Sequence, residues 1–323
     1  MINYFFDPCQ DQVRLITMIG ILFAFAMTCI CIGLFKKYLP QDMGRKFAHD
    51  GSLSAGKPRG AGFIFILVFI ASAAIFANVN VEIAIYLILV AAAMLTGFLD
   101  DAAKTPWGEL KKGLLDLAIA IMIAVTYLNF NSATFKIALT GTTIKLPAVV
   151  FGILAVILVW ASINVTNCAD GVDGLSGTLT IITLMSFYVL LNALGGKDDF
   201  NNTILLFVIC ILGYLWFNAT PSILLMGDAG SRAMGLFIAI TALKSNSPLL
   251  YIPVALVLIL DGGLGLLKVS LIRVFKVNIM KNIRTPLHDH VRKVWGWSNT
   301  QAVFRFAIIQ IIICVAIIYG VSL

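Results

Sequence analysis

Charge is scarce in this chain. Asp, Glu, Lys and Arg make up 12% of its 323 residues, while 60% are hydrophobic. That balance excludes an ordinary soluble domain and predicts an all-α polytopic membrane protein. Histidine is scarcer still, with three residues; His-x-His at His288 and His290 alone is poor evidence for a metal, and His49 reads as a loop residue. The six cysteines (9, 29, 31, 168, 210 and 314) lie mostly in apolar runs with neither metal-ligand spacing nor a disulfide framework, so they read as small core residues. There is no low-complexity tail, no internal repeat and no break in composition, so residues 1–323 read as a single integral membrane domain. The first apolar run, 15–35, lacks a basic n-region and a cleavage site, which makes it a retained helix. The net charge of +7 does not argue for nucleic acid, because basic residues in such a chain first report topology.

What is abundant is long hydrophobic sequence. Runs near 15–35, 62–78, 82–99, 114–130, 147–163, 177–194, 202–219, 230–243, 248–275 and 302–320 predict about ten transmembrane helices. The eighth is short. The ninth is long and carries Asp261-Gly262-Gly263, where a break is expected. Segment 131–146 alternates around a Gly-Thr turn and predicts a small β-hairpin outside the membrane. With ten spans, alternate loops collect the basic residues unequally. Loops 36–62, 100–113, 220–232 and 268–305 hold all of the 23 Lys and Arg except Arg14, Lys136, Lys145, Lys197 and Lys244. The positive-inside rule then puts these four loops in the cytoplasm and both termini outside.

Four polar islands interrupt the apolar background, and all fall on that inner side: Asp100-Asp101-Ala-Ala-Lys104; Asn164-Val-Thr-Asn167-Cys-Ala-Asp170-Gly-Val-Asp173-Gly; Met226-Gly227-Asp228-Ala-Gly-Ser231-Arg232; and Arg284-Thr-Pro-Leu-His288-Asp-His290. Ionisable groups beside lipid are costly and mark function. Asp100 and Asp101 end a helix whose dipole disfavours negative charge, and they repel one another, so they need a counter-charge; a divalent metal and Lys104 would supply it. Loop 164–177 offers oxygen donors and close backbone approach without any Lys or Arg. A turn alone does not need four such side chains. Asp228 precedes the eighth span, so Gly227 to Ser231 lie at a helix N-terminus, where free N–H groups favour phosphate; an ordinary N-cap is the plain alternative. The His288 loop suits phosphate contacts or anionic headgroups. Lys57-Pro-Arg59-Gly-Ala-Gly62 fits a diphosphate contact as well as simple topological anchoring.

In this order the islands resemble the polyprenyl-phosphate N-acetylhexosamine-1-phosphate transferases, across roughly residues 20–320. Within them, Thr285-Pro-Leu-His-Asp-His290, Gly296-Trp297-Ser298 and Val303-Phe-Arg305-Phe306 are similar to the phospho-N-acetylmuramoyl-pentapeptide transferases. The chain departs from that pattern at Asp289, where the family has a central His, and at Leu225, where an aromatic stacks on uracil. It departs also at Lys57–Gly62, in place of Thr-Pro-x-Met-Gly-Gly, and at Asp116, in place of a Gln. The resemblance implies a bacterial plasma-membrane enzyme with a cytoplasmic active site, commonly a homodimer. It implies transfer of phospho-N-acetylmuramoyl-pentapeptide from UDP to undecaprenyl phosphate, giving lipid I and UMP with Mg²⁺. It assigns Mg²⁺ to Asp228 and Asn167, and proton transfer or lipid-phosphate orientation to Asp100. Asp101 would support the metal site or Lys104, and Lys104 would neutralise phosphate. Nucleotide contacts or loop order would come from Asn164, Asp170, Asp173 and Leu225, and sugar or phosphate contacts from Arg284, His288 and His290. A covalent Asp route stays open. The rival readings are a UDP-N-acetylglucosamine transferase starting teichoic acid or O-antigen, and an ion-coupled transporter, whose acids would sit nearer the bilayer midplane.

Overall fold

The computed structural model describes residues 10–44, 54–194, 200–277 and 279–322. His49, Cys9 and Lys197 lie outside them. All ten apolar runs are helical. In chain order they are α1 (Gln10–Phe35), α2 (Gly62–Phe76), α3 (Val81–Asp101), α4 (Glu109–Phe130), α5 (Ala148–Ala169), α6 (Leu175–Ala193), α7 (Phe200–Asn218) and α8 (Gly227–Lys244). A broken ninth segment, the short α12 (Leu287–Lys293) and the terminal α13 (Asn299–Ser322) complete the order. Seven helices are long and apolar enough to cross a bilayer, eight if the bent ninth counts as one span. The chain is a multi-pass membrane protein.

The two remaining runs are short for distinct reasons. The 15 residues of α2 rise only about 22 Å, less than a ~30 Å hydrocarbon layer. Helix α8 carries Asp228, Arg232 and Lys244, and it tolerates them because it does not face lipid. Every residue from Gly227 to Leu243 is buried, enclosed by α2, α3, α5 and α6. Small residues permit this enclosure. At Gly97 of α3, an added Cβ would lie 2.4 Å from the Asp228 carbonyl oxygen.

The hairpin forms where expected, β1 (Thr134–Ile137) pairing antiparallel with β2 (Thr142–Lys145), Thr134 opposite Lys145. The Lys136 N–H donates to the Asn246 carbonyl at 2.7 Å, docking the hairpin on the far end of α8. A buried polar cluster lies beside it: Lys244 reaches Glu82 at 3.0 Å, and Tyr86 and Asn131 donate to the same carboxylate. Gly320 near the end of α13 sits against Leu139 of the hairpin.

The ninth segment breaks elsewhere than expected. It runs through α9 (Tyr251–Val254), α10 (Leu256–Leu258), a π-helical turn at Ile259–Gly263, α11 (Leu264–Ser270) and a second π-turn at Leu271–Phe275. The 71° bend falls between Val254 and Leu256, not at the Gly-Gly pair. Gln310 of α13 stabilises it. Its amide oxygen accepts the Val257 N–H at 2.8 Å, and its nitrogen donates to the Val254 carbonyl at 2.6 Å, satisfying the backbone groups freed by the break. The Gly262 position is occupied by helix packing instead, since its α-carbon lies close against the Val165 carbonyl of α5.

Opposite the hairpin, the C-terminal ends of α1, α3, α5 and α7 gather with the N-terminal ends of α2, α4, α6, α8 and α13. The four polar islands lie on these ends.

Candidate active site

Two adjoining clefts open at this end, with Asp42 and Arg59 lining both. The first is acidic and lies where α3 ends and α8 begins. Asp101 is committed to structure. Its side chain is fully buried, and it accepts the backbone N–H groups of Asp228 and Ala229, each at 3.1 Å, as well as Arg59 Nε at 2.8 Å. It therefore caps α8 from another helix. The expected clash with the α3 dipole is offset by the positive end of the α8 dipole. Gly227 makes this approach possible. Its φ is +72°, and a Cβ there would meet Asp101 Oδ2 at 2.1 Å.

Asp228 faces two cations: Arg59 Nη2 lies 3.3 Å from Oδ1 and Lys112 Nζ lies 3.0 Å from Oδ2. Lys112 also pairs with Asp100, whose other oxygen accepts the Trp107 N–H at 2.7 Å. Lys112 thus bridges the two acids. The expected counter-charge, Lys104, is exposed and lines neither cleft. Lys112 escaped the sequence reading because it lies among loop basics that topology already explains; the helix starts at Glu109, before the apolar run, and so carries it into the bundle. Arg59 also reaches Asp42 at 3.2 Å. Burial works against its charge, but Asp101, Asp228 and Asp42 outweigh that and hold its pKa above the usual arginine value. One turn deeper, Asp116 pairs with Arg232, so the departure at 116 comes with a buried partner.

Helix α5 continues to Ala169, which corrects the expected loop at 164–177; only 170–174 is irregular. Asn164 is thereby on a helix, donating to Trp160 of its own turn at 2.8 Å, away from both clefts. Asn167 faces the acids. Its Nδ2 donates to Ser231 Oγ at 3.0 Å, leaving Oδ1 as the atom it offers the cleft.

The second cleft is lined by Lys57, Asp170 to Asp173, Tyr214, Asn218, Leu225 to Gly227, Arg292 and Asn299. Lys57 donates to Ser222 at 3.0 Å, Ser176 donates to Asp170 at 2.7 Å, and the Ser222 N–H donates to Asp173 at 3.2 Å. Two acids and the loop before α8 are thus held together around one opening. Arg292 enters it in place of Arg284. Arg292 Nη2 meets Asp289 at 2.8 Å and its Nη1 meets Asn299 at 2.9 Å, which gives the unusual Asp289 a partner. Arg284 is exposed; its N–H donates to His290 Nδ1 at 3.2 Å. Neither residue lines a cleft. His288 is buried behind the site, its Nδ1 2.8 Å from Asp261 Oδ2, with Nε2 turned towards Gly171.

Residues 83–246 match the family model described as Glycosyl transferase family 4. Over 329 residues, the chain is 38% identical to a phospho-N-acetylmuramoyl-pentapeptide-transferase of Treponema pallidum (strain Nichols), covering 96% of this chain and 91% of that protein. The chain belongs to glycosyl transferase family 4. This family 4 chain is also 32% identical over 269 residues to a phospho-N-acetylmuramoyl-pentapeptide-transferase of Symbiobacterium thermophilum, with 78% of each covered. It is 27% identical over 309 residues to the one of Clostridium acetobutylicum, with 92% of this chain and 95% of that protein covered. The transporter reading falls with this membership, and the chain is a membrane transferase.

Among the described residues, no three His, Cys, Asp or Glu side chains converge as a ready metal site. The pairing shows what these acids hold instead: Asp100, Asp101 and Asp228 are each taken up by Lys112, Arg59 or backbone N–H groups. The donor set still suits a hard cation that takes one or two carboxylates and completes its shell with substrate phosphates. Asp228, Asp100 and the Asn167 amide oxygen are such donors. Asp42, Asp100, Asp101, Asp116 and Asp228 also outnumber Arg59, Lys112 and Arg232 by two charges.

Proposed function

We propose that this protein transfers phospho-N-acetylmuramoyl-pentapeptide from its UDP derivative to undecaprenyl phosphate, releasing UMP and forming lipid I for peptidoglycan synthesis. One observation carries the reading. Acids from three distant segments meet Lys112 and Arg59 at one end of a membrane bundle, beside a second cleft lined by Lys57, Asp170, Asp173 and Arg292. The names of the relatives supply the substrate class. The excess of basic loops supports a cytoplasmic face for this end and extracytoplasmic termini, in a bacterial plasma membrane. A homodimer follows from the resemblance.

Both reactants are anions, so catalysis consists mainly of charge neutralisation and alignment. Asp228 and Asn167, with Asp100 beside them, would hold Mg²⁺. A metal held there would supply positive charge against the phosphates of both reactants. Lys112 and Arg59 would turn from their carboxylates to phosphate oxygens as substrate enters. Asp100, fixed by the Trp107 N–H, would orient the lipid phosphate or take its proton. That phosphate attacks the β-phosphorus of the UDP-sugar. One P–O bond forms as the bond to UMP breaks. A covalent Asp intermediate is the alternative course of the same transfer. Lys57, Asp170, Asp173 and Leu225 would contact the nucleotide, and Gly227 would admit phosphate to the start of α8. Arg292 would face the sugar or its phosphate, with His288 and His290 ordering the loop that carries it.

The test is a radiolabelled transfer assay with several UDP-sugars. Lipid product from UDP-N-acetylmuramoyl-pentapeptide is expected. Product from UDP-N-acetylglucosamine alone would move the chain to teichoic acid or O-antigen initiation.

A further inference from the structure

Lys112 and Asp116 stand one turn apart on α4, and Asp228 and Arg232 stand one turn apart on α8. Lys112 meets Asp228 at 3.0 Å. One turn deeper, Arg232 donates through Nε at 3.0 Å, and through Nη2, to Asp116 Oδ1. Two ion pairs of opposite polarity therefore join the same two helices. The upper pair borders the acidic cleft. The lower is sealed, with side chains 2% and 3% exposed. Helix α4 packs its backbone on α3 and α5, so side chains make its connection to α8.

Stability does not account for the lower pair. A buried ion pair often gains nothing over apolar residues of equal volume. Here Arg232 Nη1 also lacks a hydrogen-bond partner among the described residues, which adds the cost of an unsatisfied donor. Register does account for it. Both helices start at the site end and run the same way. Sliding α4 one turn deeper sets Lys112 against Arg232; sliding it one turn outward sets Asp116 against Asp228. Either shift opposes like charges. Only the observed register pairs both.

We propose that Asp116 and Arg232 are positioning residues that fix the register of α4 against α8 and so hold Lys112 at Asp228. The inference rests on the transferase reading for its kinetic consequence, but its geometric consequence is independent of it.

The experiment compares Asp116→Asn, Arg232→Gln, the exchanged double variant Asp116→Arg/Arg232→Asp and the apolar double variant Asp116→Leu/Arg232→Leu. Each is measured for UMP release and for melting temperature in detergent. In parallel, carbodiimide cross-linking of Lys112 to Asp228 is mapped by mass spectrometry. The single variants are expected to lose kcat on the order of tenfold to a hundredfold, with KM for the UDP-sugar within about twofold, and to lose the cross-link. The exchanged pair restores two ion pairs in the observed register but lets either shifted register pair opposite charges as well, so kcat and cross-link should both recover only in part. The apolar pair should melt at or above the wild-type temperature while kcat and cross-link stay low, which a merely structural role would not produce. Should the single variants fail to fold, the two double variants decide the matter. Wild-type kcat and cross-linking in the apolar pair would overturn the proposal. Absence of UMP release from wild type would instead overturn the transferase reading, while the cross-link yields still decide the register.

Discussion

Asp228 is the residue on which the site depends. It is buried at the start of α8 and shared between Arg59 and Lys112. Asp228→Asn keeps the shape and removes the charge, so we expect transfer to fall on the order of a hundredfold or more in a protein that still elutes folded in detergent. Unchanged turnover would remove it from the machinery. The two lysines give a sharper contrast. Lys112→Ala should lower kcat on the order of a hundredfold, whereas Lys104→Ala should stay within about twofold because it is exposed and outside both clefts. Steady-state kinetics on both separates them. The acids were legible in the sequence because a carboxylate beside lipid demands an explanation. Their cations were not. Lys112 and Arg59 sit among basic residues that the positive-inside rule already explains, and nothing in the spacing Asp-x-x-Lys says that the lysine eleven residues after Asp101, rather than the nearer one, turns back to the acids.

At the scale of elements, hydrophobic runs located every long helix, because burial in a membrane bundle needs a long apolar stretch, but not the short α12 within the basic loop. The ends were harder. Helix α5 carries Asn164 and Asn167 inside its last turns, where polar residues looked like loop. The bend in the ninth segment was assigned to Gly262-Gly263, but those glycines serve close packing on α5, and the break is held from outside by Gln310. A side chain 53 residues away leaves no local signal. Gln310→Leu would leave the Val257 N–H without its partner, costing about 1–3 kcal/mol, while the Val254 carbonyl would keep the Thr183 hydroxyl at 3.3 Å. A lower melting temperature in detergent is expected. An unchanged one would show that the bend needs no such support.

For the whole molecule, the convergence of four islands followed from loop alternation and charge bias alone, while the division into two clefts around Arg59 needed the three-dimensional structure. The convergence has a direct consequence for membrane sidedness. Single cysteines introduced into a cysteine-free background at Lys104 and at Thr220, both exposed at the site end, should react with an impermeant thiol reagent only from the cytoplasmic face. One at Thr143 in the hairpin should react only from the opposite face. Labelling of 104 and 220 from opposite sides would contradict the fold. The measurement that tests the central claim most directly is UMP release by purified wild-type protein given UDP-N-acetylmuramoyl-pentapeptide and undecaprenyl phosphate, with Mg²⁺ present or chelated. One UMP formed for each lipid product, lost on chelation and in Asp228→Asn, is the predicted result. UMP release that survives both would contradict it.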